Sequence, residues 1–453
     1  MKDLTLEQIE KCTGGVYIGD ESLKQKEITG VEKDSRLIEE GFLYLPFVGA
    51  RVDGHDFIDQ VFEKGALATL SEKDLEQPKG PYIKVNSVAQ ALKDIAEYYR
   101  STLDCKIIGI TGSVGKTSTK EIIASVLSEK FDVLKTEGNY NNEIGMPLTI
   151  LKIREHHQIA VIEMGISGFE EMHRLAKVAR PDVCVITNIG TCHLENLGDR
   201  DGVFRAKTEM FDYAKNPCFV VLNGDDDKLI QVQDVHGNVP VFFGIESNQA
   251  VKATDYKANG IMGTDVTIQY YDEVFQTRIP IPGFHMIYNA MAALCIGVHF
   301  GMNFEEIDRG IRKLQAISGR NNIFENKGIV VIDDCYNANP MSMEASLKVL
   351  ANGSGRTVAI LGDMFELGKD EEALHYHVGR VAAREQIDLV ICIGKLSVKI
   401  AEGAKTGDGE VLYFETKDAF ENSMNQILKE GDTVLVKASN GMQFKTIVSK
   451  LKE

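Results

Sequence analysis

The sequence predicts an α/β protein of three domains, on the evidence of its length, its short apolar segments and one glycine-rich loop. The chain has 453 residues, and at about 150 residues per domain this length suggests three domains. Short apolar runs recur along the chain and end in polar residues or glycine, with helical patterns between several of them. Strands that alternate with helices form parallel sheets with right-handed crossovers.

The glycine-rich loop lies at residues 109–117 and reads Gly-Ile-Thr-Gly-Ser-Val-Gly-Lys-Thr. It follows an apolar run and precedes a helical pattern at residues 118–130. Glycines let backbone amides turn toward anionic oxygens, and a helix N-terminus adds its positive dipole end. Lys116 is expected to reach terminal phosphates, and the Thr117 hydroxyl is expected to contact Mg²⁺. The loop therefore predicts a site for the phosphates of a nucleotide.

This loop departs from the common form, which would place a glycine where Ile110 stands. The additional glycines here are Gly109 and Gly112. A chance glycine turn before a helix is the alternative, but strand, loop and helix occur together as phosphate binding requires. The departure indicates a particular branch of ATP-using enzymes.

Three domains are predicted from the order of these elements, at residues 1–100, 101–315 and 316–453. The first domain has a strand at 41–46, a turn at 53–56 and a helix at 88–99. We expect it to be an α/β domain. The second domain has apolar runs at 107–110, 159–162, 183–186 and 219–222.

The second domain is thus predicted to contain a parallel sheet of the P-loop ATPase type. Alternating residues within 241–282 suggest a small antiparallel annex to it. The third domain is predicted to be a Rossmann-like α/β sheet, in which ligands bind at the carboxyl ends of strands. Its strands are expected at residues 329–332, 358–361, 389–393 and 434–436.

Composition excludes several classes of protein. The formal net charge of −17 argues against general nucleic-acid binding, which needs a basic face. The eight cysteines are scattered without a Cys-x-x-Cys pair, which is typical of a reducing cytosol. The N-terminus lacks the apolar core of a signal peptide. The longest apolar helix candidate, at 290–300, is too short to cross a bilayer. A cytoplasmic protein without membrane insertion is expected.

Several polar residues follow the predicted strands. Glu163 ends the run 159–162, where it could hold Mg²⁺ or be a solvated carboxylate. His193 follows the run 183–186 and could be a ligand or a structural histidine, since hard cations prefer oxygen. Asp334 follows the run 329–332 and could contact a ribose or cap a helix.

Together these segments resemble the Mur ligases, the ATP-dependent amide-forming enzymes of peptidoglycan synthesis. The general family features are residues 109–117 and 163–165, His193, Lys207 and the segment around Asn289. Further segments resemble the branch that adds D-alanyl-D-alanine, at 34–36, 53–57, 138–147, 333–340 and 361–368. The Asp-Asn-Pro-Arg motif of the neighbouring branch is absent.

The resemblance implies roles that the residues alone leave open, above all for Lys207. Implied ATP contacts are Thr111, Gly112, Ser113, Val114, Gly115, Lys116, Thr117, Ser118, Asn289, Arg320 and Asp334. Two Mg²⁺ ions are implied, with ligands Thr117, Glu163, His193 and Lys207, the last carbamylated by CO2. Implied substrate contacts are Ser35, Arg36, Asn141, Asn142, Asn337, Asp363 and Glu366. The catalytic residues would be Lys116, Lys207 and Arg320.

The implied reaction joins D-alanyl-D-alanine to UDP-N-acetylmuramoyl-tripeptide through an acyl phosphate, and a monomer is expected. The third residue of the tripeptide, lysine or diaminopimelate, stays open. Alternatives are a family member that adds another amino acid or a folylpolyglutamate synthase-like enzyme. A nucleotide switch or a transport ATPase is disfavoured, because no Asn-Lys-x-Asp or Leu-Ser-Gly-Gly-Gln motif occurs.

Overall fold

The computed structural model of the chain describes residues 1–49, 51–246 and 249–453 and contains three β-sheets with helices beside them. The predicted α/β fold class is confirmed. Each sheet lies within one of the three predicted ranges, while the boundaries themselves stay predictions.

The first sheet has five short strands in the order β1-β5-β4-β3-β2, and only the β1–β5 pair is antiparallel. Its strands are β1 (Val16–Ile18), β2 (Gly30–Glu32), β3 (Phe42–Tyr44), β4 (Ala68–Ser71) and β5 (Tyr82–Lys84). The helices beside it are α1 (Leu6–Thr13), α2 (Ile58–Glu63) and α3 (Val88–Ser101). Helix α3 joins this unit to the next one, since the Tyr99 hydroxyl donates to the Ile153 carbonyl at 2.7 Å.

The second sheet has nine strands in the order β14-β13-β12-β11-β10-β9-β6-β8-β7. They are β6 (Lys106–Thr111), β7 (Val133–Lys135), β8 (Ile159–Glu163), β9 (Val183–Ile186), β10 (Phe219–Asn223), β11 (Val241–Gly244), β12 (Val251–Ala258), β13 (Thr264–Tyr270) and β14 (Glu273–Ile279). Strand β6 lies between β8 and β9 and is parallel to both. The glycine-rich loop therefore leaves the interior of the sheet, flanked by the ends of two neighbouring strands.

Seven helices of the described chain accompany this sheet. They are α4 (Lys116–Leu127), α5 (Gly145–Ile150), α6 (Glu171–Ala179), α7 (Leu194–Leu197), α8 (Arg200–Thr208), α9 (His285–His299) and α10 (Phe304–Arg312). Helix α9 packs against α4. Eleven of its residues are buried, all of them between Met286 and Gly297. This burial explains why the helix is mostly apolar.

The annex is part of the same sheet and begins later than predicted. Strand β11 is parallel to both β10 and β12, whereas the pairs β12–β13 and β13–β14 are antiparallel. Antiparallel pairing thus starts at Val251, not at residue 241, because β11 still hydrogen-bonds the parallel sheet.

The third sheet has six strands in the order β15-β16-β20-β17-β18-β19. They are β15 (Asn322–Asn326), β16 (Ile329–Asp333), β17 (Arg356–Gly362), β18 (Leu389–Ile393), β19 (Glu410–Phe414) and β20 (Asp432–Lys437). Its helices are α11 (Pro340–Leu350), α12 (Glu371–Arg384), α13 (Ser397–Ala404), α14 (Lys417–Ile427) and α15 (Lys445–Lys452). Strands β15 and β19, absent from the prediction, are the half-exposed edges, where the apolar signal is weakest.

All eight cysteines are free, as expected for a chain without a disulfide framework. In the described parts of the chain, no helix combines the length and the apolar character that a membrane span needs.

Candidate active site

A cavity of about 730 Å³ lies between residues that follow strands of the second sheet and residues that follow strands of the third. It brings together most of the predicted site residues. Those on its wall are Ser113, Val114, Gly115, Lys116, Thr117, Ser118, Asn141, Asn142, Glu163, His193, Asn289, Arg320, Asp334 and Asn337.

The glycine-rich loop owes its shape to two glycines with positive φ. Gly112 has φ of 148°, and a Cβ atom there would lie 1.9 Å from Thr187 Oγ1. Gly115 has φ of 82° and caps α4, which begins at Lys116, two residues before the predicted start. Ile110, where the common motif has glycine, is a fully buried residue of β6. The loop thus turns only after Thr111.

The segment that follows β9 holds this loop in place. The Thr187 hydroxyl donates to the Val114 carbonyl at 2.6 Å, and the Val114 amide donates to Asn188 Oδ1 at 3.0 Å. The Gly190 amide donates to Ser113 Oγ at 2.8 Å. Preorganised amides of this kind are what anion binding requires.

We expect Gly112→Ala to abolish ATP binding measured by calorimetry, because both the left-handed φ and the contact with Thr187 exclude a side chain. Gly198→Ala is the matched control. Gly198 also has positive φ, 81°, but a Cβ there would meet nothing within 4 Å. It should cost about 1–3 kcal/mol of stability through backbone strain and leave the ATP affinity of the folded protein intact. Equal ATP affinity of the two variants would contradict the role of the glycine-rich loop in binding phosphates.

Three polar side chains meet at the start of α4. The Thr117 hydroxyl donates to Glu163 Oε2 at 2.8 Å, and Asn141 Nδ2 donates to Glu163 Oε1 at 2.8 Å. Glu163 is 1 % exposed. Lys116 folds back over the loop and donates to the Gly112 carbonyl at 2.7 Å. A cation and a buried carboxylate therefore flank the loop, as nucleotide binding with Mg²⁺ needs.

The protein alone does not supply a complete metal site. Within residues 1–49, 51–246 and 249–453, no three His, Cys, Asp or Glu side chains converge as metal ligands. Thr117 and Glu163 do offer oxygen donors side by side. Mg²⁺ in nucleotide sites is held by one or two protein groups plus substrate phosphates, so this sparse donor set fits it.

His193 lies at the entrance to α7 with φ of 53°, close to the third sheet's domain. Its Nδ1 is 2.6 Å from Glu366 Oε2, although the angle is not that of a hydrogen bond. Burial lowers the pKa of His193, against the opposing effect of Glu366. Burial thus favours the neutral imidazole, the form that can ligate a metal.

Lys207 is a buried lysine on α8, 1 % exposed. Burial, helped by the nearby positive charge of Lys116, lowers its pKa from 10.5 to about 8. No carboxylate lies within ion-pair distance of Lys207 in the part of the chain that the structure describes. It is behind the cavity wall rather than on it. With a pKa of about 8, about a tenth of such amines are unprotonated at pH 7, far more than for an exposed lysine.

Asn289 lies on α9 against the glycine-rich loop, where its Oδ1 accepts from the Thr119 hydroxyl at 2.9 Å. Two buried polar atoms nearby, Thr111 Oγ1 and Asn321 Oδ1, have no hydrogen-bond partner. Buried polar atoms are normally paired, so the unpaired Oδ1 of Asn321, a residue of the cavity wall, fits a hydrogen bond to a bound ligand.

Arg320 lies in the segment that connects α10 of the second domain to β15 of the third. Its guanidinium carbon lies 4.1 Å from the centre of the Tyr336 ring. Nearby, Asp334 accepts hydrogen bonds from the Ser346 hydroxyl and from Lys437 Nζ, both at 2.5 Å. Lys437 Nζ also donates to the Asn337 carbonyl at 3.1 Å. The Asp334 carboxylate is thus fixed at the carboxyl end of β16.

Four predicted substrate residues lie away from the cavity wall. Arg36 is exposed and bonded to Asp34, and Ser35 is buried in the first domain. Asp363 is buried and accepts from the Ser397 amide and hydroxyl at 2.7 and 2.6 Å, so it anchors α13. Glu366 reaches the site only through His193.

Sequence reasoning missed Lys437 and Tyr336. Lys437 is 2 % exposed and ends β20. Because ligands bind at the carboxyl ends of the strands in such sheets, this position could have been named as a candidate. Tyr336 lies in the segment 333–340 but carried no role, because nothing in a sequence shows which arginine an aromatic ring will meet.

Comparison with protein families matches all three parts of the chain. Residues 27–100 match the family described as "Mur ligase family, catalytic domain". Residues 110–297 match "Mur ligase middle domain", and residues 319–440 match "Mur ligase, glutamate ligase domain".

Individual relatives match over nearly the full length. A UDP-N-acetylmuramoyl-tripeptide–D-alanyl-D-alanine ligase of Bacillus subtilis is 36% identical, covering 99% of this chain and 98% of that protein. A crystal structure of MurF from Acinetobacter baumannii has a TM-score of 0.90 at 30% identity, with 99% and 98% of the two chains covered. MurF of Thermotoga maritima in complex with ADP has a TM-score of 0.82 at 28% identity, covering 93% and 97%.

Proposed function

The chain belongs to the Mur ligase family, and from that membership we propose that it joins D-alanyl-D-alanine to UDP-N-acetylmuramoyl-tripeptide with cleavage of ATP. The observation that carries this proposal is the 36% identity to such a ligase over 99% of the chain. Use of ATP agrees with the phosphate cradle before α4 and with the ADP complex of a relative.

In the first step, the terminal carboxylate of the tripeptide attacks the γ-phosphorus of ATP. The bond to the bridging oxygen breaks, and an acyl phosphate and ADP result. Phosphoryl transfer asks the protein mainly for positioning and for neutralisation of charge. Lys116 and Arg320 supply positive charge from opposite sides of the cavity, and Asn289 and Asp334 would contact the nucleoside.

In the second step, the free amine of D-alanyl-D-alanine attacks the acyl carbonyl. The tetrahedral intermediate loses phosphate, and the amide forms with release of a proton. Water would hydrolyse the acyl phosphate, so the site has to be covered. The segment that begins α11 contacts the segment after β9 at the cavity wall, since a Cβ at Gly190 would lie 2.3 Å from Met341 Sδ.

Two Mg²⁺ ions belong to the proposal, and the donor atoms present fit them. Thr117 and Glu163 would hold one, and His193 would help to hold the second. When bound, Mg²⁺ neutralises phosphate charge and aligns the oxygens of ATP. Asn141 would keep the Glu163 carboxylate in orientation through its 2.8 Å hydrogen bond.

Carbamylation of Lys207 is the third part of the proposal. The neutral amine would add to CO2 and lose a proton, which replaces a cation by a carboxylate that can reach toward metal. The burial that lowers the Lys207 pKa to about 8 supplies the neutral amine. The same burial disfavours the ammonium form, whereas the negative charge of a carbamate would be balanced by Mg²⁺.

The remaining contacts are assigned by domain. Ser35 and Arg36 would lie near the UDP group, and Asn141 and Asn142 near the peptide part of the nucleotide substrate. Asn337 and Glu366 would contact D-alanyl-D-alanine, whereas Asp363 would act only through α13, which it anchors. The proposal also includes a monomer that works in the cytoplasm, where ATP is available.

The purified protein should release phosphate from ATP only when UDP-N-acetylmuramoyl-tripeptide and D-alanyl-D-alanine are both present. The test is a phosphate-release assay with a panel of amines, including L-alanine, D-glutamate, lysine and diaminopimelate. Release that depends on another amine would indicate a different member of the family. Release without any amine would contradict the ligase assignment.

A further inference from the structure

Arg320 is held by an aromatic ring and not by a carboxylate. Its guanidinium carbon is 4.1 Å from the centre of the Tyr336 ring, a distance at which the cation is attracted to the ring face. Over the described ranges of the chain, Arg320 forms no ion pair. Its charge is therefore left free to act on a ligand in the cavity that both residues line.

The backbone around Arg320 is built against Tyr336. Gly319 has φ of 80°, and its carbonyl accepts from the Tyr336 amide at 3.1 Å. The Gly319 amide donates to Asp333 Oδ2 at 2.9 Å. A Cβ at position 319 would lie 3.3 Å from the Tyr336 Cβ. The residue before the arginine is thus fixed to the loop that carries the ring.

Tyr336 also connects the two domains that form the cavity. It follows β16 of the third sheet, whereas Asn139, which follows β7 of the second sheet, lies beside its side chain. Glu163 is near enough to influence the Tyr336 hydroxyl electrostatically. The Tyr336 ring therefore lies close to Arg320 on one side and to Asn139 and Glu163 of the second domain on the other.

We propose that Tyr336 is a positioning residue that aligns Arg320 with the transferring phosphoryl group when the third domain is docked. This inference rests on the proposed function, which gives Arg320 its phosphate. An arginine side chain has many rotamers, and a flat ring restricts the planar guanidinium to one orientation. Because Gly319 is hydrogen-bonded to Asp333 and Tyr336, Arg320 and the ring move together with the third domain, and the guanidinium is already oriented when that domain docks.

The test compares Tyr336→Leu with Tyr336→Phe in the D-alanyl-D-alanine-dependent assay. Loss of the ring should lower kcat about tenfold with less than about a threefold change in the KM for ATP, since alignment matters most in the transition state. Tyr336→Phe keeps the ring face and should retain kcat within about threefold. Equal kcat of the Leu and Phe variants would overturn the proposal.

A matched control is available in the same domain. Lys452 lies over the Phe324 ring at 4.9 Å, away from the cavity, so Phe324→Leu removes a comparable contact and should leave kcat unchanged. A fall in kcat for Phe324→Leu as large as that for Tyr336→Leu would indicate a general effect on the domain and overturn the proposal.

A double-mutant cycle separates positioning from a structural role. In an Arg320→Lys background, which lacks the planar group, Tyr336→Leu should cause no further loss of kcat. Additive losses would mean that the ring acts independently of the arginine and would overturn the inference. If the unmodified enzyme shows no D-alanyl-D-alanine-dependent release, the proposed function itself fails, a result distinct from any outcome for Tyr336.

Discussion

Replacing Lys116 by alanine is expected to lower kcat at least about 100-fold, because the lysine places a cation where charge develops on the transferring phosphoryl group. Its Nζ donates to the Gly112 carbonyl, so the charge is already held above the phosphate cradle before ATP binds. The measurement is turnover at saturating ATP, with thermal unfolding followed in parallel to confirm that the variant folds.

Lys106→Ala is the control for this experiment. Lys106 begins β6, the same strand that ends before the cradle, and its side chain is 56% exposed beside Asp182. Surface ion pairs of this kind contribute about 0–1 kcal/mol, so the variant should keep its activity. If Lys116→Ala turned over ATP nearly as fast as the unmodified enzyme, the role of the loop would be refuted.

Lys207→Ala should lose nearly all ligase activity and regain part of it when short carboxylates such as formate or acetate are added. The reason is that a carbamate supplies a carboxylate in a site whose protein donors are few. A small carboxylate could occupy the space left by the lysine. Removing one group that stabilises charge in such a site costs about 100- to 1,000-fold in kcat.

The pH dependence gives an independent check. Because carbamylation needs the unprotonated amine, incorporation of labelled CO2 at Lys207 should rise as the pH increases toward and past about 8. Arg205→Ala is the control on the same helix. The Arg205 guanidinium carbon lies 5.4 Å from the centre of the Phe169 ring, so the loss of this side chain should leave CO2 incorporation at Lys207 unchanged. Full activity of Lys207→Ala without added carboxylate would contradict the carbamate.

The glycine-rich loop shows how much local sequence can predict. A buried strand, a loop with Gly112 and Gly115, and a helix that begins at Lys116 are neighbours in the chain, so their pattern is visible without the fold. Only the helix start differed, at residue 116 rather than 118. The third sheet was predicted at its buried strands and missed at its edges, because β15 and β19 are half exposed.

Contacts between distant segments could not be predicted in this way. Asp334 and Lys437 are about a hundred residues apart in the chain, yet their side chains meet at 2.5 Å. The sequence analysis named Asp334 as a candidate but missed Lys437, and it could not show that the two touch, because β16 and β20 become neighbours only in the folded sheet.

The sequence by itself determined that this protein has α/β domains, a cradle for phosphates and the motif set of the Mur ligases. These features depend on periodicity and on short motifs, which are local. Only the tertiary structure decided that Arg320 stacks on Tyr336 and that Asp363 anchors α13 behind the cavity. It also decided that Lys207 is buried with no carboxylate of the described residues at ion-pair distance. The physical reason is that burial and side-chain partners depend on how separate elements pack, and packing brings together residues far apart in the chain.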